Sequence, residues 1–400
     1  VDALANVSEE WKTPTSIEVF RVADSTPLVD EPVNVKSTNE HRVLALDGIR
    51  GLAILGVFCY HFGGGHQSRN FIVHAWSLAA GAGWMGVDLF FVLSGFLITG
   101  ILFDTSHKQG RVKNFYARRA LRIFPLFYGV LFAFLALTPI LHLRWHFGHL
   151  LYFFYMSNMA GLLDPGLQSP GDKMVIIHFW SLAVEEQFYL LWPFVVWFVK
   201  DRRKLLWICL GIILSVLALR SILVLHGVSN AYIFPLLPTR ADSLLCGGAL
   251  ALLVRGPARL ESLARVIIVV TGVLTLGIVR ALAAGPRGEA LLSGVGYTVI
   301  ALFFTCVVYF AQRGGGWVAY LGRQGWLRFL GRYSYGLYIY QGLLLFSLMP
   351  LVDNFQRLVH SALLGGLLFI AFSLALIIGI SMLSYHLFEG PILKLKSRFV

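Results

Sequence analysis

The feature that most constrains this chain is the recurrence of apolar stretches long enough to cross a bilayer. Ten can be read, at residues 44–62, 84–104, 123–143, 179–199, 205–225, 237–254, 266–283, 291–311, 333–350 and 361–387. About 20 predominantly apolar residues in helical form span the hydrocarbon core. Of 400 residues, 57% are apolar and 14% charged, whereas ordinary globular chains are about a quarter charged. The expected fold class is an all-α integral membrane protein with about ten transmembrane helices.

Basic residues orient it. With the N-terminus inside, the inner segments hold 24 Lys and Arg and the outer segments 6, counting Arg240 with an outer loop. This positive-inside bias predicts an N-in, C-in topology. It also accounts for the net charge of +12, which is spread over inner loops and speaks against a nucleic-acid partner. Residues 1–41 read as a polar cytoplasmic tail with no signal peptide, so the first apolar segment acts as an uncleaved anchor. Residues 42–388 form the membrane domain and 389–400 a basic tail on the cytoplasmic surface. Within the outer loop 144–178, the short apolar run 147–162 reads as a re-entrant or interfacial helix. Cys59, Cys209, Cys246 and Cys306 lack CxxC spacing, and neither a disulfide framework nor a metal site is expected.

The stretch RVLALDGIRGLAILGVFCYHF, residues 42–62, places ionisable groups where they are expensive. Asp47 lies three residues before Arg50, and His61 eleven after it. On a helix the three share a face, with Arg50 and His61 about 16 Å apart along the axis. The bland reading is a self-neutralising Asp–Arg pair and an interfacial His. The second span, GVDLFFVLSGFLITGIL, carries Asp88 at a depth similar to His61. A carboxylate there either caps and packs, or orients His61 as a base. Ser94–Gly95 marks a close helix approach.

In KNFYARRALRIFPLFY, Arg119 and Arg122 share a face at the inner boundary, where two guanidinium forks suit a phosphorylated ligand or serve as anchors. In HFWSLAVEEQFYLLWPF, Ser181, Glu185 and Tyr189 recur at i, i+4 and i+8 on one stripe. Glu185, two turns into an apolar helix, is expected to pair with an Arg, Arg50 being the candidate. Near the end stands FLGRYSYGLYIYQGLLL, with Arg332 at the inner boundary.

Together, in this order, the LDGIRG opening with Arg50–x10–His61, DLFFVLSGFLI, FYARRALRIFPLFY with Arg119–x–x–Arg122, WSLAVEEQFYLLWP and SYGLY resemble the acyltransferase-3 family of multi-spanning bacterial membrane acyltransferases. The resemblance covers residues 42 to about 341. It implies a ten-helix core in the cell (inner) membrane. That core would move an acyl group, usually acetyl, from cytoplasmic acyl-CoA to a carbohydrate or glycoside hydroxyl at the outer side. On the matching positions His61 would be the catalytic histidine, Arg50 its basic partner, Arg119 and Arg122 the donor-binding residues and Glu185 an acidic site residue.

Asp88 joins them as the candidate partner of His61, with Ser181, Tyr189 and Gln341 as candidate substrate contacts. Gln341 departs from the family, which often has His there; a neutral amide can still bind the acceptor. The hydrolase-like C-terminal domain of some relatives is not in these 400 residues, so the acceptor is expected to arrive directly or from a partner. His61 acts either as a base on the acceptor hydroxyl or as a transient acyl carrier. Arg50 is expected to position the thioester or steady its oxygen. The rival class is a transporter or flippase whose Arg, His and Glu line a path for an anionic solute.

Overall fold

The computed structural model describes residues 35–63, 71–164, 167, 176–257, 259–282 and 285–399; most of the expected N-terminal tail and the turn-rich part of loop 144–178 lie outside these. Among the described residues there is no strand. The chain runs α1 (Val35–Phe62), α2 (Phe71–Gly81), α3 (Gly86–Asp104), α4 (Arg111–Leu141), α5 (Phe147–Leu150), α6 (Ser157–Leu163), α7 (Trp180–Val199), α8 (Arg202–Leu225) and α9 (Asn230–Ile233). It continues through α10 (Leu237–Leu253), α11 (Glu261–Leu282), α12 (Pro286–Leu291), α13 (Tyr297–Arg313), α14 (Gly316–Gly322), α15 (Gly325–Leu348), α16 (Val352–Leu358), α17 (Ala362–Ser384) and α18 (Gly390–Leu393).

Among the described residues nine helices are long and apolar enough to cross a membrane. The stretch expected as a tenth crossing, 237–254, is realised as α10, a helix of 17 residues. This helix is sealed inside the bundle against α3 and α8, whereas α8 and α11 turn Trp207, Leu225, Val273 and Leu276 outward. Arg240, counted with an outer loop, belongs to α10 and is fully buried.

Two crossings hold the bundle, both made by glycine. A Cβ at Gly48 would overlap the Gly322 carbonyl, one at Gly51 the Leu327 carbonyl and one at Gly331 the Asp47 carbonyl, so α1 lies backbone to backbone on α14 and α15. Gly95 meets the Leu244 carbonyl and Gly247 the Val92 carbonyl, which closes α3 on α10 in the same way. The packing role expected of Gly95 is what the structure shows. α1 is one unbroken helix, so the interval from Arg50 to His61 is a true helical rise.

Residues 147–162 form two short helical pieces rather than one. Tyr155 adopts a left-handed conformation (φ 54°) that ends the first. Its carbonyl accepts from the Gln187 amide of α7 at 2.9 Å, and Gln187 also exchanges hydrogen bonds with Asn158. The hairpin is thereby pinned to α7.

Gly95→Val should therefore destabilise the protein by about 3 kcal/mol or more, because backbone faces backbone and cannot yield. Gly211→Ala in α8, where nothing lies within 4 Å of the added methyl, should be tolerated. Thermal unfolding of the two variants in detergent checks the contrast.

Candidate active site

Three cavities follow one another through the bundle. The first is basic and encloses about 1080 Å³, open mouth included. Arg50 and Asp47 reach it from α1, Arg122 from α4, Arg328 and Arg332 from α15, and Glu389 and Lys396 from the C-terminal segment. Five cations against two carboxylates leave a net positive field suited to an anion. Arg50 Nη1 donates to Asp47 at 2.5 Å, as the sequence spacing predicts. The C-terminal tail is mostly exposed, and its half-buried Lys396 lines this cavity.

Arg50, Arg122 and Tyr335 also line the second cavity, of about 970 Å³, so the two adjoin. Here the α7 stripe is realised: Ser181, Glu185 and Tyr189 all face the space, joined by Arg119 from α4 and Ser94 from α3. Arg119 lies 4.0 Å over the Tyr189 ring. Glu185 does not pair with Arg50; it accepts the Ser94 hydroxyl at 2.6 Å, while Arg50 is held by Asp47. The apolar wall includes Val87, Phe90, Phe91, Leu97 and Ile98.

Val87 and Tyr338 line the third cavity as well, about 1270 Å³ including its mouth, and there His61 is found. The Tyr338 hydroxyl stands at the junction. It lies 2.5 Å from the Ser181 hydroxyl and donates to the His178 carbonyl at 2.9 Å. His178 shares the cavity with His61, and its Nε2 has no hydrogen-bond partner; nor has Nδ1 of His61. A Cβ at Gly342 would overlap the His178 ring, so the glycine makes its place. Burial, and then the nearby His61, push the His178 imidazole down to about 3, which keeps it neutral at physiological pH. Sequence reasoning passed over His178, although it stands three residues before Ser181.

Two expected contacts are not made. Asp88 is turned away from His61: its carboxylate accepts from Arg240 at 2.7 Å and from Ser243 at 3.0 Å, all sealed from solvent. A buried carboxylate this close to a guanidinium is held by it, and Arg240 supplies that guanidinium from the first turn of α10. Gln341 is buried at 1% exposure, neither amide atom has a partner, and it lines none of the three cavities. Its neighbours Tyr338 and Gly342 line the third one instead. Arg50 also stands apart from His61, since eleven residues of continuous helix put them about 16 Å apart in successive cavities. Among the described residues no three His, Cys, Asp or Glu side chains gather as a metal would need.

Residues 43–386 match the family model described as "Acyltransferase domain". The chain is 29% identical to the peptidoglycan O-acetyltransferase OatA of Listeria monocytogenes, over 88% of this chain and 56% of that protein. It is 33% identical to a Bacillus subtilis protein provisionally named as a peptidoglycan O-acetyltransferase, YrhL, over 54% of this chain and 34% of that one. A Staphylococcus aureus protein provisionally named as an O-acetyltransferase is 27% identical over 87% and 57%. The chain thus spans about half the length of the curated relatives it matches, and no solved structure matches it.

If Asp88 is a structural partner, Asp88→Ala and Arg240→Ala should each cost about 3–5 kcal/mol of stability, because each strands a buried charge. The double replacement Asp88→Leu with Arg240→Met should recover part of that loss. The yield of monodisperse protein and its unfolding temperature measure both.

Proposed function

The chain belongs to the acyltransferase domain family and is an acyltransferase, and from that premise we propose that it is a membrane O-acyltransferase carrying an acetyl group from acetyl-CoA to a carbohydrate hydroxyl. The observation that carries this reading is the succession of cavities: a basic one, then a mixed one, then one holding His61, each sharing lining residues with the next.

Coenzyme A has phosphates at one end and its sulfur at the other, joined by a flexible arm. Arg122, Arg328, Arg332 and Lys396 suit the phosphates, with Arg50 between the first two cavities. Arg119 and the apolar wall of the second cavity then line the arm's way toward Tyr338. The thioester reaches the cavity of His61, where the acceptor hydroxyl lies.

In the direct route His61 takes the hydroxyl proton as the oxygen attacks the thioester carbonyl carbon. The tetrahedral intermediate collapses by breaking the carbon–sulfur bond, and the proton returns from His61 to the departing thiolate. The ester product leaves with the acceptor. In the acyl-carrier route the imidazole itself receives the acetyl group first. Removal of the hydroxyl proton is needed in both. The basic cavity draws on Arg50 in α1, Arg122 in α4 and Arg328 in α15, all toward the helix ends that the positive-inside bias assigns to the cytoplasm. His61, Trp180 and Phe346 lie toward the opposite ends, which supports an acceptor entering from outside. The peptidoglycan named for OatA makes a cell-wall glycan the first acceptor to test. The transporter reading has no observation of its own.

Arg122→Ala and Arg332→Ala should each raise the acetyl-CoA KM about tenfold with little change in the acceptor KM, and Lys should rescue poorly. Unchanged donor dependence in the double variant would return these residues to the role of anchors. His61→Gln keeps hydrogen bonding without basicity and should lose transfer by about 100-fold or more; near wild-type turnover would remove His61 from the reaction. In topology mapping, a Cys placed at Lys113 or Arg203 should be shielded from an impermeant reagent outside the cell.

A further inference from the structure

The third cavity has a wall that the proposed chemistry does not use. Trp180 of α7 and Phe234, just past α9, meet with ring centroids 4.2 Å apart and planes tilted by 51°. Phe234 continues to Tyr297 at 6.0 Å, and Tyr297 meets Trp84 edge-on at 6.1 Å. Trp84, Trp180 and Phe234 are half-buried and line the space. Such surfaces stack on the apolar C–H faces of a sugar ring.

Asn230, the first residue of α9, lines the same wall. Its side-chain oxygen accepts from the Ser293 hydroxyl at 2.8 Å and from the Tyr297 hydroxyl at 3.1 Å. In this orientation the amide oxygen is the atom that meets the two hydroxyls. The NH2 group is left over, with two hydrogens to give and no acceptor oxygen already assigned to it. Both hydroxyls come from a special piece of backbone, the π turn Leu292–Gly296 and the first residue of α13. Insertions of this kind in helices occur frequently at functional sites. This one is held by Arg220, whose Nε donates to the Gly294 carbonyl at 3.2 Å. Among the described residues lining the cavity there is no Asp, Glu, Lys or Arg.

We propose that this wall is the acceptor subsite, binding an uncharged pyranose stacked on Trp180 and Phe234 while the Asn230 amide donates to one of its oxygens. The absence of formal charge disfavours uronic acids and phosphorylated sugars, whose ions would be stripped of water with no counter-charge to meet them. Asn230 then determines specificity by reading a hydroxyl or N-acetyl carbonyl oxygen. The proposal rests on the placement of the acceptor beside His61, and the test separates the two.

Asn230→Asp is the informative variant, since the carboxylate still accepts from Ser293 and Tyr297 but has no hydrogens to give. Purified full-chain protein is titrated with chitotetraose, a neutral oligosaccharide, following tryptophan fluorescence for binding and, with acetyl-CoA, ester formation for transfer. Oligogalacturonate of the same length is the charged comparison. Expected are about tenfold weaker chitotetraose binding in Asn230→Asp, a comparable loss in Trp180→Leu, an unfolding temperature near wild type for Asn230→Asp, and no preference for the galacturonate. Asn230-dependent binding in a protein that forms no ester would uphold the subsite and defeat the transferase reading. Wild-type chitotetraose affinity in a folded Asn230→Asp, or tighter binding of the galacturonate, would overturn the subsite even if transfer proceeds.

Discussion

Charge buried in an apolar bundle has to be met by opposite charge, and two such meetings hold this one together, complete at Arg220 and carried at Arg240 by a single carboxylate oxygen of Asp88. Arg220 from α8 uses all five of its N–H donors: on the Gly294 and Thr239 carbonyls, on both oxygens of Asp242 and on the Thr298 hydroxyl. The Thr298 hydroxyl in turn donates a hydrogen bond to Asp242 at 2.7 Å. Two residues before Asp242 on α10, Arg240 pairs with Asp88 of α3. Four helices, α3, α8, α10 and α13, are tied by these two pairs, each at 0% exposure. Stranding either charge would expose the bundle to the full cost of desolvation. The rest of Arg240 is covered by aromatic rings, with Tyr297 3.9 Å away and Phe234 at 5.5 Å. The wall of the third cavity is thus placed by residues that take no part in the proposed reaction.

The other half of the site depends on space rather than charge. Where α1 crosses α14 and α15, Gly48, Gly51, Gly322 and Gly331 bring backbone against backbone. Arg50 of α1 and Arg328 and Arg332 of α15 are brought to one cavity by that closeness. A bulkier crossing would spread the cations and weaken the field an anion meets.

Charge falls away along the three cavities. Cations line the first, Arg119, Arg122 and Glu185 meet in the second, and the third carries no side chain of fixed charge among the described residues. That gradient suits a reaction whose donor is a polyanion at one end and a neutral thioester at the other. It also gives the Arg50–x10–His61 spacing a physical sense. The two residues lie about 16 Å apart along one helix, Arg50 on the first two cavities and His61 on the third.

The sequence by itself determined the class of fold, because apolar runs near twenty residues in a charge-poor chain have few other uses, and periodicity determined which side chains share a face. The α7 stripe of Ser181, Glu185 and Tyr189 and the Asp47–Arg50 pair are local properties of one helix, and both are present. Pairings between helices were decided only by the tertiary structure. Depth alone leaves Asp88 either as a packing residue or as a partner of His61, because depth does not specify azimuth, and Arg240 occupies the direction it faces. Gln341 lies one residue from Gly342 and three from Tyr338 on α15, but about 100° of rotation separates neighbouring side chains, and that rotation seals it away from the cavity. Arg328 and Lys396 meet although 68 positions apart in the chain, and Asn230 and Tyr297 although 67 apart. No spacing rule reaches that far, so these meetings follow from how the helices pack.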